Sequence, residues 1–200
     1  MSGSVREASP DGQPAREPSA REAELLERTY RYVGEHGLAG MSLRPLAAAI
    51  GSSPRVLLYL FGSKEGLVRA LLARARADEL TFLEHARQAG EGADLPAVVR
   101  TTWQWLSAEP RRPLLTLWLE AYARSVVEPE GPWSHFARQT VEDWLGLLAA
   151  GQPPAERDSD TGSHQRTLAL AVLRGGLFDL LATGDAARVT GAVERYLRTL

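Results

Sequence analysis

Apolar residues along this chain recur at spacings of three and four and show no alternating, strand-like run, which is the signature of helices that each bury one face. The first predicted helix runs from about Ala20 to His36. Leu26, Tyr30 and Val33 form its inward stripe, and Gly37 ends it. A second spans Ser42 to Ile50, with Ser42 as N-cap, Pro45 in the first turn and Gly51 as its stop. A third, Pro54 to Phe61, is only about two turns long and starts at Ser53. Ser63 caps a long fourth helix extending to about Gln88. Further helices are expected at 95–108 behind Asp94, at 113–127, at 133–150, at 164–182 and at 186–200 behind Asp185. Residues 113–127 are apolar around most of the circumference, so this helix is expected at the centre. Pro129 and Pro132 flank a break, and 151–163 reads as a polar, Pro-rich loop.

Composition narrows the chemistry. The 200 residues are 44% hydrophobic and 24% charged, enough for one sizeable domain or a small and a medium one. There is no Cys, which excludes disulfides, thiolate zinc sites and a cysteine nucleophile. No apolar run approaches the roughly 20 residues of a membrane span, and the N-terminus lacks a signal-peptide core. A cytoplasmic location without membrane contact is therefore expected. Residues 1–19 are rich in Ser, Gly, Pro, Glu and Arg and read as a disordered tail. The net charge of −2 conceals an asymmetry. Between Leu38 and Arg76 stand Arg44, Arg55, Lys64, Arg69, Arg74 and Arg76 against Glu65 alone, leaving +5 here and −7 elsewhere. A basic segment on an acidic body points to a local polyanionic partner.

The helices at 42–50 and 54–61, joined by a short turn containing Gly, fit a helix-turn-helix, whose second helix enters a major groove. At about 100° per residue, Leu57, Leu60 and Phe61 share an inward face, while Arg55 and Tyr59 sit side by side on the opposite one. Arg55 can make a bidentate pair with guanine O6 and N7, and Tyr59 can reach a phosphate or a thymine methyl. Ser42, Ser53, Ser63 and Lys64 stand at helix N-termini, where hydroxyls, N–H groups and the helix dipole favour phosphate, and Arg44 adds a backbone contact. Each serine alone is ordinary capping chemistry; the combination is what points to DNA.

Residues 37–67, "GLAGMSLRPLAAAIGSSPRVLLYLFGSKEGL", resemble the DNA-binding domain of TetR-family transcriptional regulators. The matching positions are Gly37, Ser42, Arg44, Leu46, Ala47, Gly51, Ser53, Phe61, Gly62, Ser63, Lys64, Glu65 and Leu67. The resemblance implies an all-α fold: a three-helix helix-turn-helix domain at 20–66, then an effector-binding and dimerisation domain at 67–200. It also implies a homodimer on a near-palindromic operator, acting as a repressor released by a small, largely apolar effector. Val56 and Leu58-Tyr59 depart from the family's usual Thr and Tyr-His, which shifts the expected contacts onto Arg55 and Tyr59.

In the larger half, two long apolar stripes are Leu168, Val172, Gly176 and Leu180, then Val189, Val193, Tyr196 and Leu200. Gly175 and Gly176 in mid-helix cost about 1 kcal/mol each against Ala, which a close helix–helix approach would offset. These two helices are the expected dimer interface, with an intrachain core as the alternative. Trp103, Trp118, Tyr122, Trp144 and Phe178 are the expected pocket lining, with polarity from Glu120, His135 and Arg174. An enzyme finds no support: the four His residues are scattered, no metal ligands or glycine-rich phosphate loop stand at the needed spacing, and no cofactor is expected. A helical small-molecule binder or adaptor would leave the basic helix-turn-helix without a purpose.

Overall fold

The computed structural model describes residues 19–38, 41–89, 93–128, 130–131 and 133–200, and they contain helices and no strand. Helix α1 is Ala20–His36, α2 Leu43–Ala49, α3 Pro54–Phe61 and α4 Lys64–Ala89. They are followed by α5 Leu95–Leu106, a 3-10 turn Glu109–Arg111, α6 Arg112–Val127 and α7 Phe136–Ala150. The chain ends with the short α8 Pro154–Arg157, α9 Asp160–Thr183 and α10 Ala186–Leu197. Residues 1–18 of the expected tail, Pro129 and Pro132 lie outside the described residues. Ser19 belongs to α1: its Oγ accepts from Glu22 N–H at 3.2 Å as the N-cap.

The small N-terminal helices hold each other at right places through few contacts. The buried face of α1 is Leu25, Thr29 and Val33, while Leu26 and Tyr30 are half-buried, so the expected stripe is turned by about one residue. The turn arises because α1 packs on both α4 and α6. Thr29 is tolerated inside because its hydroxyl donates to Leu25 O at 2.7 Å. Arg28 reaches the end of α2 and donates to Ile50 O at 3.1 Å. Gly37 and Gly51, at φ 77° and 69°, make the stops that a Cβ would disfavour.

Helix α4 is the spine. Its first turn packs on α3, its middle on α1 and its later turns on α7. In the middle, Arg74 pairs with Glu27 and Asp78 while stacking 5.0 Å from the Tyr30 ring, whose hydroxyl donates to Asp78 Oδ2 at 3.0 Å. Burial, then the charge of Asp78, push the Tyr30 hydroxyl well above its ordinary pKa, so it stays a donor.

Residues 151–163 are not a loop. They contain α8 and the start of α9, capped by Ser159 Oγ on Gly162 N–H at 3.0 Å. A polar network replaces the missing apolar periodicity: the buried Gln152 donates to Gly162 O at 3.2 Å and accepts from Arg166 at 2.5 Å. Arg157 closes the end of α7 by donating to Ala149 O at 3.0 Å. Helix α7 starts at Phe136 rather than Trp133, which is buried in the preceding turn with Arg124 5.5 Å above its ring.

The two C-terminal stripes face inward more than expected. On α10, Val189 and Val193 are buried, and Tyr196 and Leu200 are half-buried against the chain's own core. On α9, Leu168 is 55% exposed but Leu180 is buried. The reason is helical drift: four-residue steps advance about 40° each, so the stripe rotates from solvent into the core. The face that stays outside runs Leu168, Ala171, Gly175, Phe178 and Ala182, all exposed.

Candidate nucleic-acid interface and effector cavity

Helix α3 is anchored by Leu57, which is buried, with Leu60 and Phe61 half-buried beside it. Ser53 Oγ accepts from Val56 N–H at 3.3 Å, Pro54 follows, and Gly62 at φ 76° turns the chain sharply into α4. With its wedge fixed, α3 turns Arg55, Val56, Leu58 and Tyr59 outward, and Tyr59 is 84% exposed. The Arg55 and Tyr59 face deduced from the helical wheel is therefore in solvent. Val56 and Leu58, departures from the family pattern, add exposed apolar surface to it. Exposed apolar side chains beside an Arg suit thymine methyls next to a guanine.

Because α2 packs on α3 and α3 on α4, the remaining candidates gather at the same end of the molecule. Ser42, Arg44, Ser53 and Lys64 are exposed and Ser63 is half-buried. Ser42 makes no side-chain cap bond, so its hydroxyl is not committed to its own helix. Ser63 Oγ accepts from Gly66 N–H at 2.9 Å. Glu65 already occupies the start of α4: backbone N–H donation, then Ser63, hold its carboxyl below the usual range. Beside it the Lys64 ammonium is exposed.

The basic segment is also thinner than its charge count. Arg74 is tied to Glu27 and Asp78, and Arg76 to Glu79 and Asp143. Arg44, Arg55, Lys64 and Arg69 are exposed and have no ion-pair partner among the described residues. The exposed positive charge of the segment is carried by these four. Sequence could not separate the two groups, because the acids that neutralise Arg74 and Arg76 come from α1 and α7 as well as α4.

The second site lies against the middle of α4, at Ala75 and Glu79. A small, mostly apolar cavity of about 30 Å³ is walled by α4, α5, α6, α7 and α9, with Trp105, Trp118 and Trp144 among its lining. Trp105 stacks on Phe82 at 4.1 Å between ring centres and lies 6.4 Å from Trp144. Two charged groups enter the wall, Glu79 and Arg174. Glu79, only 4% exposed, accepts from Trp144 Nε1 and, at 2.8 Å, from Arg76. Arg174 lies 5.0 Å over the Tyr122 ring, and burial pushes its pKa below the usual guanidinium value, partly opposed by Tyr122 and Glu79.

Of the expected lining residues, Trp118 and Trp144 are in the wall. Tyr122 stands behind it, stacked on Trp118 at 5.2 Å. Trp103 and Phe178 are elsewhere. Trp103 is buried between α5, α9 and α10 and donates to Thr190 Oγ1 at 3.0 Å. Phe178 is on the outer face of α9. Spacing shows that an aromatic is on a helix, not which neighbour that helix will choose. Of the polar candidates, Arg174 is at the wall and His135 is exposed in the turn before α7. Glu120 points the other way, accepting from Leu38 N–H at 2.8 Å in the turn after α1. Glu120 thus ties α6, a wall of the cavity, to the DNA-facing helices. No group of three or more His, Cys, Asp or Glu among the described residues could hold a metal, and no described helix is long and apolar enough to cross a membrane.

A solvent-facing recognition helix on a helix-turn-helix, joined to a larger helical body with an internal cavity, defines a DNA-binding transcriptional regulator. Residues 25–71 match the family model described as "Bacterial regulatory proteins, tetR family". The chain thus carries at 25–71 a DNA-binding domain that matches this family's model. It is 28% identical over 173 residues to the HTH-type transcriptional regulator BetI of Burkholderia thailandensis, spanning 81% of this chain and 87% of that protein. The BetI of Burkholderia lata is 27% identical over 112 residues, 54% of this chain and 57% of its own. Among solved structures, a TetR transcription regulator from Haloarcula marismortui superimposes with a TM-score of 0.67 at 20% identity, covering 89% of this chain and 96% of that one. The multidrug binding protein EbrR complexed with proflavin gives 0.61 at 24% identity, covering 88% and 98%.

Proposed function

We propose that this chain is a homodimeric, cytoplasmic repressor that holds a near-palindromic operator through two copies of α3 and releases it when an effector enters the cavity. The observation that carries the reading is the outward Arg55, Val56, Leu58 and Tyr59 surface on a helix whose opposite face is anchored by Leu57. Residues 20–66 present the DNA contacts and 67–200 supply the cavity and dimer surface; the division falls inside the first turn of α4. In such a dimer the two recognition helices occupy successive major grooves about one helical turn, ~34–36 Å, apart.

Specificity is assigned to α3. Arg55 reads a guanine, while Val56 and Leu58 pack on thymine methyls. Ser42, Arg44, Ser53, Ser63 and Lys64 position the domain on phosphates, and Tyr59 reaches either phosphate or base. Arg55→Ala is expected to cost about 1–3 kcal/mol per half-site on the cognate operator and to relax one base position. Equal losses on all DNA, measured by gel shift over a set of operator variants, would refute base readout. Lys64→Ala should weaken binding to every sequence and flatten the dependence on salt, because fewer counterions are released. An unchanged salt slope would remove Lys64 from the phosphate contacts.

The dimer face is assigned to the outer side of α9, with its stripe of Leu168, Ala171, Gly175, Phe178 and Ala182, and to the exposed small residues Gly191 and Ala192 of α10. A Cβ on Gly175 or Gly191 would meet nothing within 4 Å in the single chain, which leaves room for a partner helix to approach closely. Effector release is assigned to α6. Its cavity side carries Leu114, Leu115 and Trp118, while Glu120 holds Leu38 N–H and Pro113 lies against Gly34 of α1. A ligand that repositions α6 therefore repositions the DNA-facing helices, to the extent that it binds the two arrangements differently.

A further inference from the structure

The cavity's unpaired polar atoms are all of one kind. Arg174 Nε and Nη2 are sealed from solvent and have no hydrogen-bond partner among the described residues, and the same is true of Trp118 Nε1. All three are donors. The one carboxylate in the wall is already engaged: Glu79 Oε1 takes the Trp144 N–H and Oε2 takes Arg76. Arg76 is also paired with Asp143, so its charge is not available to a ligand either.

The two Arg174 atoms are not an arbitrary pair. Nε–H and one Nη–H lie parallel along one edge of the guanidinium, spaced to meet the two oxygens of a carboxylate. The Tyr122 ring backs the guanidinium plane from 5.0 Å and fixes its direction. A guanidinium stays protonated, so sealing its Nε and Nη2 donors away from water without an acceptor is a standing cost that an anion would relieve. The rest of the wall is leucine, indole and Ala75.

We propose that the effector is an apolar carboxylic acid whose carboxylate docks on the Nε–Nη2 edge of Arg174 while its hydrocarbon body packs among Trp105, Trp118, Trp144 and the wall leucines. This rests on the reading of the cavity as the effector site and specifies what that site selects. At about 30 Å³ the space holds roughly one water. A ligand with a carbon skeleton must part Leu114 and Leu115 of α6 from Leu170, Leu173 and Leu177 of α9. Binding and displacement of α6 are then one event. A cation would face Arg174, and a neutral amide would offer its edge one uncharged oxygen and an NH2 donor in place of two charged oxygens.

Calorimetry on the full chain separates these cases with matched probes on two scaffolds: 2-naphthoate, 2-naphthamide and 2-naphthylmethylammonium, and decanoate, decanamide and decylammonium. On at least one scaffold the acid should bind about tenfold or more tightly than its amide, with the ammonium weaker still. Arg174→Gln should bring the acid down to the amide, and Arg174→Lys should restore part of the difference. The comparison of acid with amide in the unmodified protein stands even if a variant fails to fold. An amide or ammonium that matches the acid and releases DNA overturns the carboxylate assignment while leaving the effector reading intact. If no probe of any charge binds, both fall.

Discussion

Replacing Gly175 with Glu is expected to give a folded monomer that has lost its operator. In the single chain Gly175 is exposed and a side chain there meets nothing within 4 Å, so the subunit has room for the substitution. Glu is also the better helix former by roughly 0.5 kcal/mol. In the proposed dimer the same position lies on the α9 stripe between Ala171 and Phe178. Two glutamates would be brought together there, desolvated and without partners. A monomer holds one half-site, and its affinity should fall toward the non-specific level, about 10³-fold or more below the specific complex. Light scattering and gel shift on one preparation check this. A Gly175→Glu protein that remains a dimer would remove α9 from the interface. The adjacent glycine is the control. A Cβ on Gly176 would lie 3.1 Å from the Trp103 ring, so Gly176→Glu should damage the subunit's own core and lower its melting temperature.

Gly66→Ala is expected to abolish specific DNA binding from a position that makes no DNA contact. Gly66 is in the first turn of α4, where a Cβ would sit 2.0 Å from the Phe61 carbonyl oxygen. That oxygen is backbone at the end of α3 and cannot swing away as a long side chain would. It also accepts Ser63 N–H at 2.9 Å, so the α3–α4 corner is held from both sides. Relief requires α3 to shift against α4, at a cost of about 1–3 kcal/mol in stability. A shift of that kind takes Arg55 and its neighbours out of register with the bases in both half-sites. Affinity should again drop to the non-specific level, about 10³-fold or more. The cavity touches α4 at Ala75 and Glu79, about two and a half turns or more beyond Gly66, and should keep its ligand affinity, measurable by calorimetry. Retention of operator binding would show that the corner has slack.

These two glycines also mark how far the fold could be read in advance. The recognition helix was legible because its signals are local. Ser53-Pro54 starts it, Gly62 ends it, and the period of Leu57, Leu60 and Phe61 orients it. The same holds for α1, α2 and the start of α4. What escaped was choice of neighbour. Nothing local distinguishes Gly175, open to solvent, from Gly176, closed by Trp103. Nor does spacing reveal that Trp103 serves the α5–α9–α10 core while Trp105, not among the expected residues, lines the cavity. Arg74 and Arg76 counted as DNA-facing charge until α1 and α7 supplied their acids. Helix α8 was hidden because Gln152, Arg157 and Arg166 order it through polar bonds that leave no apolar period. Glu120 was expected at the ligand and instead holds the turn after α1. Each miss is a tertiary decision made by residues distant in sequence.

The most direct test of the central claim, sequence-specific DNA binding by α3, is selection from a random duplex library with the purified full chain. The expected result is enrichment of one near-palindrome with half-site centres about one helical turn apart, carrying a guanine beside thymines in each half. In Arg55→Ala the guanine position should become degenerate while the spacing is kept. A library that emerges unenriched, bound only through salt-sensitive contacts that ignore sequence, would contradict the claim.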